Sequence, residues 1–557
     1  MLEIRQAAAD AWSAYAATGM TGDDLRPIQG GAVDYMHVHA TLYDSLGTLY
    51  VMGLHAEFEA AVERAVALGA PRTLLFPTSS FEYNIRIIGG LLSAAQLSGD
   101  SRLLTLASDA AHTLLSSAYF LWPSPLMVDR VRMQPLTLWN FPFWLTARIM
   151  DATWMMWQRA SQGHSVSSLA KVKTTYSELL VCFNPCYTFM CCCECAHHNH
   201  AHFPTPALFV ASFKLTYRQV GTFSLEFRAL SSALGDPTLA CIADKMQSHI
   251  VGNVSSPWPL GDNLYHHTPI HTAFDSVNGS GVFDGAISFG SGGDSFYEYL
   301  LKSHLIMPRE NPRLYVELYR RLTRQLNFEY GLVNDDVATQ GTLKLLFEHR
   351  GRLFLSRYAG GTYHEQLACF LPGLMMLGAM KLPDRAMSRD QVIAEKLLDG
   401  CLWTYTEPSI SRHGLGADLL DLQDVQNSNG LHKYSGEYNY YLRPETVESV
   451  FLAWRTTRDP KWRKAAWDIF TGLKKLQARG GGFHGIVDVT LQFNSSLDQN
   501  TVDEQPSYFI AETLKYLFLT FDDPERLSLK DWVFSTECHP LRLLNNHSAW
   551  SIRSCAV

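Results

Sequence analysis

Several acidic residues stand where a solvated surface carboxylate does not belong, each flanked by apolar or aromatic neighbours: Glu82 after Phe81, Glu226 between Leu225 and Phe227, Asp294 after Gly293, Glu445 after Pro444 and Glu512 after Ala511. Burying an ionised carboxylate is costly unless it is paired or hydrogen-bonded. A helix N-cap or a salt-bridged core position explains any one of these acids taken singly. Together they point to a shared acidic pocket, because carboxylates crowded in a low dielectric acquire separated proton affinities, the condition for one acid and one base. Arg86, four residues after Glu82, and Arg443, two before Glu445, are placed to hold neighbouring carboxylates ionised or to clasp a polyhydroxylated ligand, with an ordinary helix-face ion pair as the alternative. Tyr508, Phe509, Phe296 and Tyr297 offer flat faces suited to a sugar ring and equally to a core.

These residues need elements to converge them. A helix-start signal recurs along the chain: a short turn ending in Asp or Asn, then Pro, then an amphipathic run, at Asp236-Pro237, Asn311-Pro312, Asp459-Pro460 and Asp523-Pro524, with looser relatives at Gly99-Asp100 and Pro383-Asp384. From Asp236 onward the marks recur every 64 to 76 residues, which suggests stacked helical hairpins. Between them apolar residues fall at helical intervals, as in Trp462, Ala466, Ile469, Phe470 and Leu473, and again in Leu514, Tyr516, Leu517 and Leu519. The chain therefore reads as mostly α. Such hairpins either close into a ring with their loops aimed at a common centre or run as an open array, and the periodicity does not decide between the two.

The 557 residues are 47% hydrophobic and only 18% charged, which suits a large buried core and excludes disorder. A net charge of −8 without a Lys/Arg-rich run excludes a nucleic-acid footprint. No apolar run is long enough to span a bilayer and no signal peptide opens the chain, so the expectation is a soluble protein or one whose targeting segment is missing. Sequons at Asn253, Asn278, Asn494 and Asn546 are compatible with a secretory lumen. Residues 171–219 have a composition foreign to the rest: six of the eleven cysteines lie between Cys182 and Cys195, followed by His197, His198, His200 and His202. The tract lacks two well-spaced ligand pairs, which argues against zinc. It is read as an insertion, either a translated intron or a lineage-specific loop, interrupting a single catalytic domain over 1–544, with 545–557 as a tail.

Phosphate-loop, zinc-protease, nucleophile-elbow and EF-hand motifs are all missing. The runs FEYNIRIIGGLLSAAQLSGD (81–100), GTFSLEFRALSSALGDP (221–237), GDSFYEYLLK (293–302), LRPETVESVFLAWRTTRDP (442–460), SYFIAETLKYLFLTFDDP (507–524) and STECHP (535–540) resemble, in order and spacing, the class I α-1,2-mannosidases of glycoside hydrolase family 47. AWSAYAATGMTGDDLRPI (11–28) and ATLYDSLGTLYVMGL (40–54) are similar to the opening segment of that family.

The resemblance implies an all-α (αα)7 barrel, supplying the ring closure that periodicity leaves open. It implies Ca²⁺-dependent removal, with inversion, of terminal α-1,2-linked mannose from high-mannose N-glycans. Glu82 matches the proposed general acid, Glu445 the general base and Asp294 the third catalytic carboxylate. Thr536 matches the calcium-binding threonine, a hard-oxygen donor. Glu226, Glu298, Glu448, Glu512 and Glu537 match further pocket acids, and with Arg86, Arg443 and Tyr508 they make up the expected substrate-binding set. Inversion calls for an acid–base carboxyl separation of roughly 6.5–9.5 Å. Cys369 and Cys401 match a disulfide pair of the processing enzymes, implying an oxidising lumen of the Golgi or endoplasmic reticulum. Gly292 stands where members trimming one particular mannose carry arginine, which implies broader, Golgi- or fungal-like trimming. Gly47 stands where the family usually has Asp. The implied partners are glycoprotein N-glycans, with membrane contact only through an anchor lying outside this chain, and the chain is read as a monomer. The rival readings are a degradation-branch mannosidase and a glycan-binding protein without turnover.

Overall fold

The computed structural model describes residues 1–71, 79–116, 221–244, 246, 288–306, 313–330, 344–358, 360–382, 387–423, 435–491 and 499–544, with the short strands 172–173, 178–179, 214–216 and 273–275. The four sequons and most of the 171–219 tract, like the Asn311-Pro312 and Pro383-Asp384 marks, lie outside the described residues. The chain divides into two compact units, 1–133 with 213–557, and 134–212. Of the second unit only the antiparallel pair Val172–Lys173 and Glu178–Leu179 is described.

In the first unit, helices buried on nearly every face alternate with amphipathic ones. Seven are of the buried kind: Ala40–Val51, Gly89–Ser98, Ser224–Leu234, Asp294–Ile306, Leu371–Lys381, Glu445–Thr457 and Leu514–Phe521. Each is preceded or followed by a helix such as Leu2–Ala16, His55–Leu68 or Pro460–Leu473, which buries one stripe only, for example Phe58, Ala61, Val62 and Ala65. This is the (αα)7 barrel, an inner ring jacketed by an outer one. The apolar residues expected along 460–473 and 514–521 are all buried.

The stop–start signal has a complete backbone reading. Helix Gly89–Ser98 ends on Gly99 at φ +76°, Ser224–Leu234 on Gly235 at φ +70° and Glu445–Thr457 on Arg458 at φ +60°, the left-handed conformation that ends a helix. The next residue is the acid that starts the partner helix. Asp100 accepts from the Arg102 N–H at 2.9 Å, Asp236 from Thr238 at 2.9 Å and Asp459 from Lys461 at 2.9 Å. Asp523-Pro524 departs from expectation. Asp523 does accept from the Glu525 N–H at 3.0 Å, but Pro524–Leu527 form a turn and not a helix, because the chain must reach the strand Trp532–Phe534 within a few residues.

Short strand pairs fill the hairpin loops. Trp532–Phe534 pairs with Pro540–Arg542, and Tyr363–Glu365, Leu419–Asp421 and Ser435–Glu437 make an antiparallel three-stranded sheet. Among the described residues no helix is long and apolar enough to cross a membrane.

Gly47 lies inside the buried helix Ala40–Val51, where a Cβ would meet Ser93 Oγ at 3.6 Å and Lys515 Nζ at 3.9 Å, ordinary contact distances. Mid-helix glycine costs about 1 kcal/mol relative to alanine. Gly47→Ala is therefore expected to raise the midpoint of thermal unfolding, by about 0.5–1 kcal/mol of stability; a lowered midpoint in a calorimetric scan would contradict the helix packing described.

Candidate active site

The sequence-selected acids converge at the ends of the inner helices. Glu82 closes the short helix Ser80–Glu82, capped by Ser79 Oγ, and is followed at once by a π-helical turn over Tyr83–Ile88. A second π-helical turn, Phe509–Thr513, carries Glu512. Each wide turn inserts an extra residue and rotates the helix, and such turns concentrate at functional sites. Asp294 is the first residue of its helix, and Glu298 and Lys302 follow on the same face. Glu445 opens Glu445–Thr457 with Glu448 one turn on; it follows Leu442, held at φ +63° with its carbonyl accepting from Thr513 Oγ1 at 2.7 Å. A branched residue in that conformation is strained by about 1–2 kcal/mol.

Arg86 is the hub. It is buried, its Nε donates to Glu82 at 2.8 Å, and its Nη1 reaches Glu537 at 2.9 Å, Ser507 Oγ at 3.0 Å and Asp44 at 3.3 Å. The helix-face pair anticipated from the four-residue spacing exists, but it is one arm of a network reaching 451 residues along the chain. Asp44 is wholly buried; burial alone raises its proton affinity, yet His539 with Nε2 at 3.1 Å, Arg86 and Ser507 together hold it below the usual carboxylate range. Lys302 ties Glu298 to Glu448, the latter at 3.1 Å, joining two inner helices.

Thr536 and Glu537 occupy the tip of the hairpin between Trp532–Phe534 and Pro540–Arg542. Ser535 shapes it, its Oγ accepting the N–H groups of Glu537 and His539 at 3.2 Å each, while Cys538 takes φ +56°. Thr536 N–H donates to Tyr299 Oη at 3.3 Å, and Tyr299 Oη donates in turn to Glu226, whose other oxygen accepts from Asn84 at 3.1 Å. Arg443 pairs with Asp418, and beside it a cavity of about 350 Å³ is lined by Asp24, Tyr35, Tyr441, Arg443, Glu504 and Tyr508. Tyr508 Oη donates to the Tyr441 carbonyl at 2.6 Å. Phe509, Phe296 and Tyr297 belong to the core, Phe509 against Phe483 and Tyr297 against Phe289 and Phe296.

Carboxylates outnumber cations here, and proton affinities show it. Burial, against the pull of Arg443 and with the push of Asp418 and Asp294, raises Glu445 to about 8. Burial raises Glu226 to about 7, against hydrogen bonds from Tyr299 and Asn84; Glu448 rises to about 7 through burial despite Lys302. Glu537 rises to about 8 through burial despite Arg86, and Glu512 rises well above its ordinary value through burial and the nearby Glu537 and Glu445. Among the described residues, Glu445 Oε2 is buried with no hydrogen-bond partner. A pocket of surplus acids, an orphaned carboxylate oxygen and a half-exposed threonine at a hairpin tip is a donor set suited to a hard divalent cation.

Residues 7–140 and 194–543 match the sequence signature of Glycosyl hydrolase family 47. The chain belongs to glycosyl hydrolase family 47. Its relatives include mannosyl-oligosaccharide 1,2-alpha-mannosidase MNS1 of Arabidopsis thaliana, 28% identical over 97% of this chain and 78% of that protein, and mannosyl-oligosaccharide 1,2-alpha-mannosidase IA of Sus scrofa, 27% identical over 98% and 68%. The fold is similar to that of the alpha-1,2-mannosidase from Trichoderma reesei, with a TM-score of 0.69, 22% identity and 98% of each chain covered. The signature passes over 141–193.

Cys369 and Cys401, the pair expected from the resemblance, are disulfide-bonded, with Cα atoms 6.1 Å apart. His364 lies beside them, Nε2 at 3.7 Å from Cys369 Sγ, but the sulfurs are consumed by the bond, so this trio is not a metal site. The family 47 reading did not single out Asp44, His539, Ser507, Asp418, Asp24, Tyr35 or Tyr441. Asp44, between Tyr43 and Ser45, carried the same signal as the acids that were selected, a carboxylate in an apolar run; the others are recognisable only by their partners.

A raised carboxylate affinity means the folded chain holds protons that the unfolded chain has released. Without a divalent cation, stability is expected to be greatest below about pH 5 and to fall as pH rises toward 8, through the values of Glu226, Glu448, Glu445 and Glu537. Calcium added at pH 8 is expected to raise the unfolding midpoint more than at pH 5. A chelated sample whose midpoint is flat across this window would refute the surplus-acid account.

Proposed function

We propose that this family 47 chain is an inverting exo-α-1,2-mannosidase that trims terminal α-1,2-linked mannose from high-mannose N-glycans. The observation that carries the reading is the convergence of Glu82, Glu537 and Asp44 on one guanidinium, beside the strongly perturbed Glu445 and the Thr536 hairpin. Glycosidic cleavage with inversion needs one carboxyl to protonate the departing oxygen and another to deprotonate a water on the opposite face.

Glu82, partly exposed with its Oε2 accepting from Arg86 Nε, is the group assigned to protonate the leaving sugar's oxygen, a step that calls for the protonated form of its carboxyl. Glu445, with one oxygen free of protein donors, suits the base that takes a proton from water once that oxygen is ionised. Asp294 adds negative charge near Glu445, which serves an oxocarbenium-like transition state. Thr536, through its hydroxyl and carbonyl oxygens, is the residue that would hold Ca²⁺, with the surrounding glutamates orienting its water shell. When bound, the ion supplies positive charge that keeps those carboxylates ionised and fixes sugar hydroxyls.

Tyr508 and Arg443 line the adjacent cavity, where an aromatic face and a guanidinium suit the rest of a glycan arm. Gly292 at φ +95° keeps the turn before Asp294 free of a side chain, which fits trimming of more than one mannose. The Cys369–Cys401 bond fits an oxidising lumen, and one relative is named as an endoplasmic reticulum enzyme of Homo sapiens.

The chain is expected to release free mannose from α-1,2-mannobiose and to shorten a high-mannose glycan in a timed digest, with EDTA stopping both. Glu445→Gln is expected to lower kcat by about 10²- to 10⁴-fold with substrate still bound. Glycan binding without mannose release at any calcium level would replace the enzyme reading with a lectin-like one.

A further inference from the structure

The acids above do not account for Glu365, at the end of one strand of the three-stranded sheet, and Asp418, immediately before the neighbouring strand. Tyr363–Glu365 and Leu419–Asp421 pair with Glu365 opposite Leu419, and the ladder extends through the Gln366 N–H donating to the Asp418 carbonyl at 2.9 Å. Glu365 is 6% exposed. Its Oε1 accepts the Ser291 N–H at 3.1 Å and its Oε2 accepts Ser288 Oγ at 3.2 Å, while Ser288 Oγ accepts the Gly290 N–H at 3.0 Å. The Gly290 carbonyl then accepts from Gly293 at 3.1 Å and from Asp294 at 3.0 Å. One carboxylate thus closes the whole turn 288–293 that delivers Asp294 to its helix.

Space is exhausted at both ends of that turn. A Cβ on Gly290 would lie 2.3 Å from Glu365 Oε2, and one on Gly293 would lie 2.3 Å from the Ser288 carbonyl oxygen. Immediately before the next strand Asp418 grips Arg443, two residues before Glu445. Arg357, 3.7 Å from Glu365, offsets its charge.

We propose that Glu365 is a positioning residue that sets Asp294 through the 288–293 turn, and that Asp418, immediately before the adjacent strand, sets Glu445 through Arg443, so that one small sheet fixes the spacing of the two carboxylates. Neither group touches substrate in this proposal, which rests on the mannosidase reading for its kinetic readout. A displacement of about 1 Å at a reacting group costs on the order of 10²-fold in rate.

The test compares Glu365→Ala, Glu365→Gln and Gly290→Ala with the unaltered chain, using α-1,2-mannobiose turnover, thermal melting and crystallography. Glu365→Ala is expected to lower kcat about 10- to 100-fold with KM changed less than about threefold. Glu365→Gln, which keeps an acceptor for the Ser291 N–H, is expected to recover most of that loss. Gly290→Ala, whose new methyl drives the intact Glu365 carboxylate aside, is expected to reproduce it. On an Asp294→Asn background Glu365→Ala is expected to add nothing, since its effect travels through Asp294. Unchanged kcat in both Glu365→Ala and Gly290→Ala, or losses that multiply in the double variant, would overturn the proposal. If Glu365→Ala does not fold, Glu365→Gln and Gly290→Ala decide. If the unaltered chain releases no mannose, the functional reading fails on its own; the Gly290→Ala crystal structure then judges positioning, a displaced 288–294 segment upholding it and an unmoved one refuting it.

Discussion

One guanidinium shared among three carboxylates is the interaction on which the rest of this site depends. Glu82, Asp44 and Glu537 come from elements far apart in sequence, and Arg86 meets all of them from a single buried position. Without that guanidinium, the buried Asp44 and Glu537 would protonate or drive the surrounding loops apart, because desolvating an unpaired carboxylate is costly. Asp44 takes the largest burden: it is sealed from solvent, yet the neighbouring imidazole, hydroxyl and guanidinium keep it ionised. That fixed negative charge lies 3.3 Å from Arg86 Nη1, beside the closer contacts of the guanidinium to Glu82 and Glu537.

The barrel makes such a concentration of charge tolerable. Its inner helices are buried on nearly all faces, so the core that stabilises the domain is spread around the ring, and Glu82, Asp294, Glu445 and Glu512 occupy the ends and π-helical turns of those helices. A site at helix termini also leaves a central helical hydrogen-bond ladder intact while allowing local strain, as at Leu442. The strand pairs then do what helices cannot. A hairpin tip carries Thr536 and Glu537 up to Tyr299, and a three-stranded sheet places carboxylates against two separate loops. Rigid walls and short strands acting as clamps divide the task between them.

Much of this was legible in the chain because its signals are local. An acid beside an apolar residue announces itself: Glu82, Glu445 and Glu512 come within electrostatic reach of Glu537 or of one another, and Glu226 is tied to the Thr536 hairpin through Tyr299. The stop–start signal at Gly99-Asp100, Gly235-Asp236 and Arg458-Asp459 is complete within two or three residues, which is why hairpins could be read from it. What could not be read depends on distant partners. Asp418 and Glu365 look like ordinary polar loop residues until the sheet pairs them, and His539 has no meaning until Asp44, 495 positions away, is set against it. Asp523-Pro524 misled for the opposite reason. Its local chemistry is a sound helix start, but the β-hairpin eight residues later leaves no length for a helix. Phe296 and Phe509 show the same limit: an aromatic beside an acid packs inward or outward according to the helix face, and both of these pack inward.

The two ends of the charge network differ in what surrounds Glu82 and Glu445. Glu82 keeps part of its side chain exposed and has a guanidinium in contact. Glu445 has Arg443 already engaged by Asp418 and Asp294 nearby, and among the described residues its Oε2 has no hydrogen-bond partner. A carboxylate in that state gains more from a water or a cation than from anything the protein offers. The pocket-facing acids Glu445, Glu537 and Glu512 are thus short of positive charge. On the proposed reading a bound hard cation would relieve that shortage, and a sugar whose ring becomes positive during bond cleavage would relieve it again at the moment of reaction.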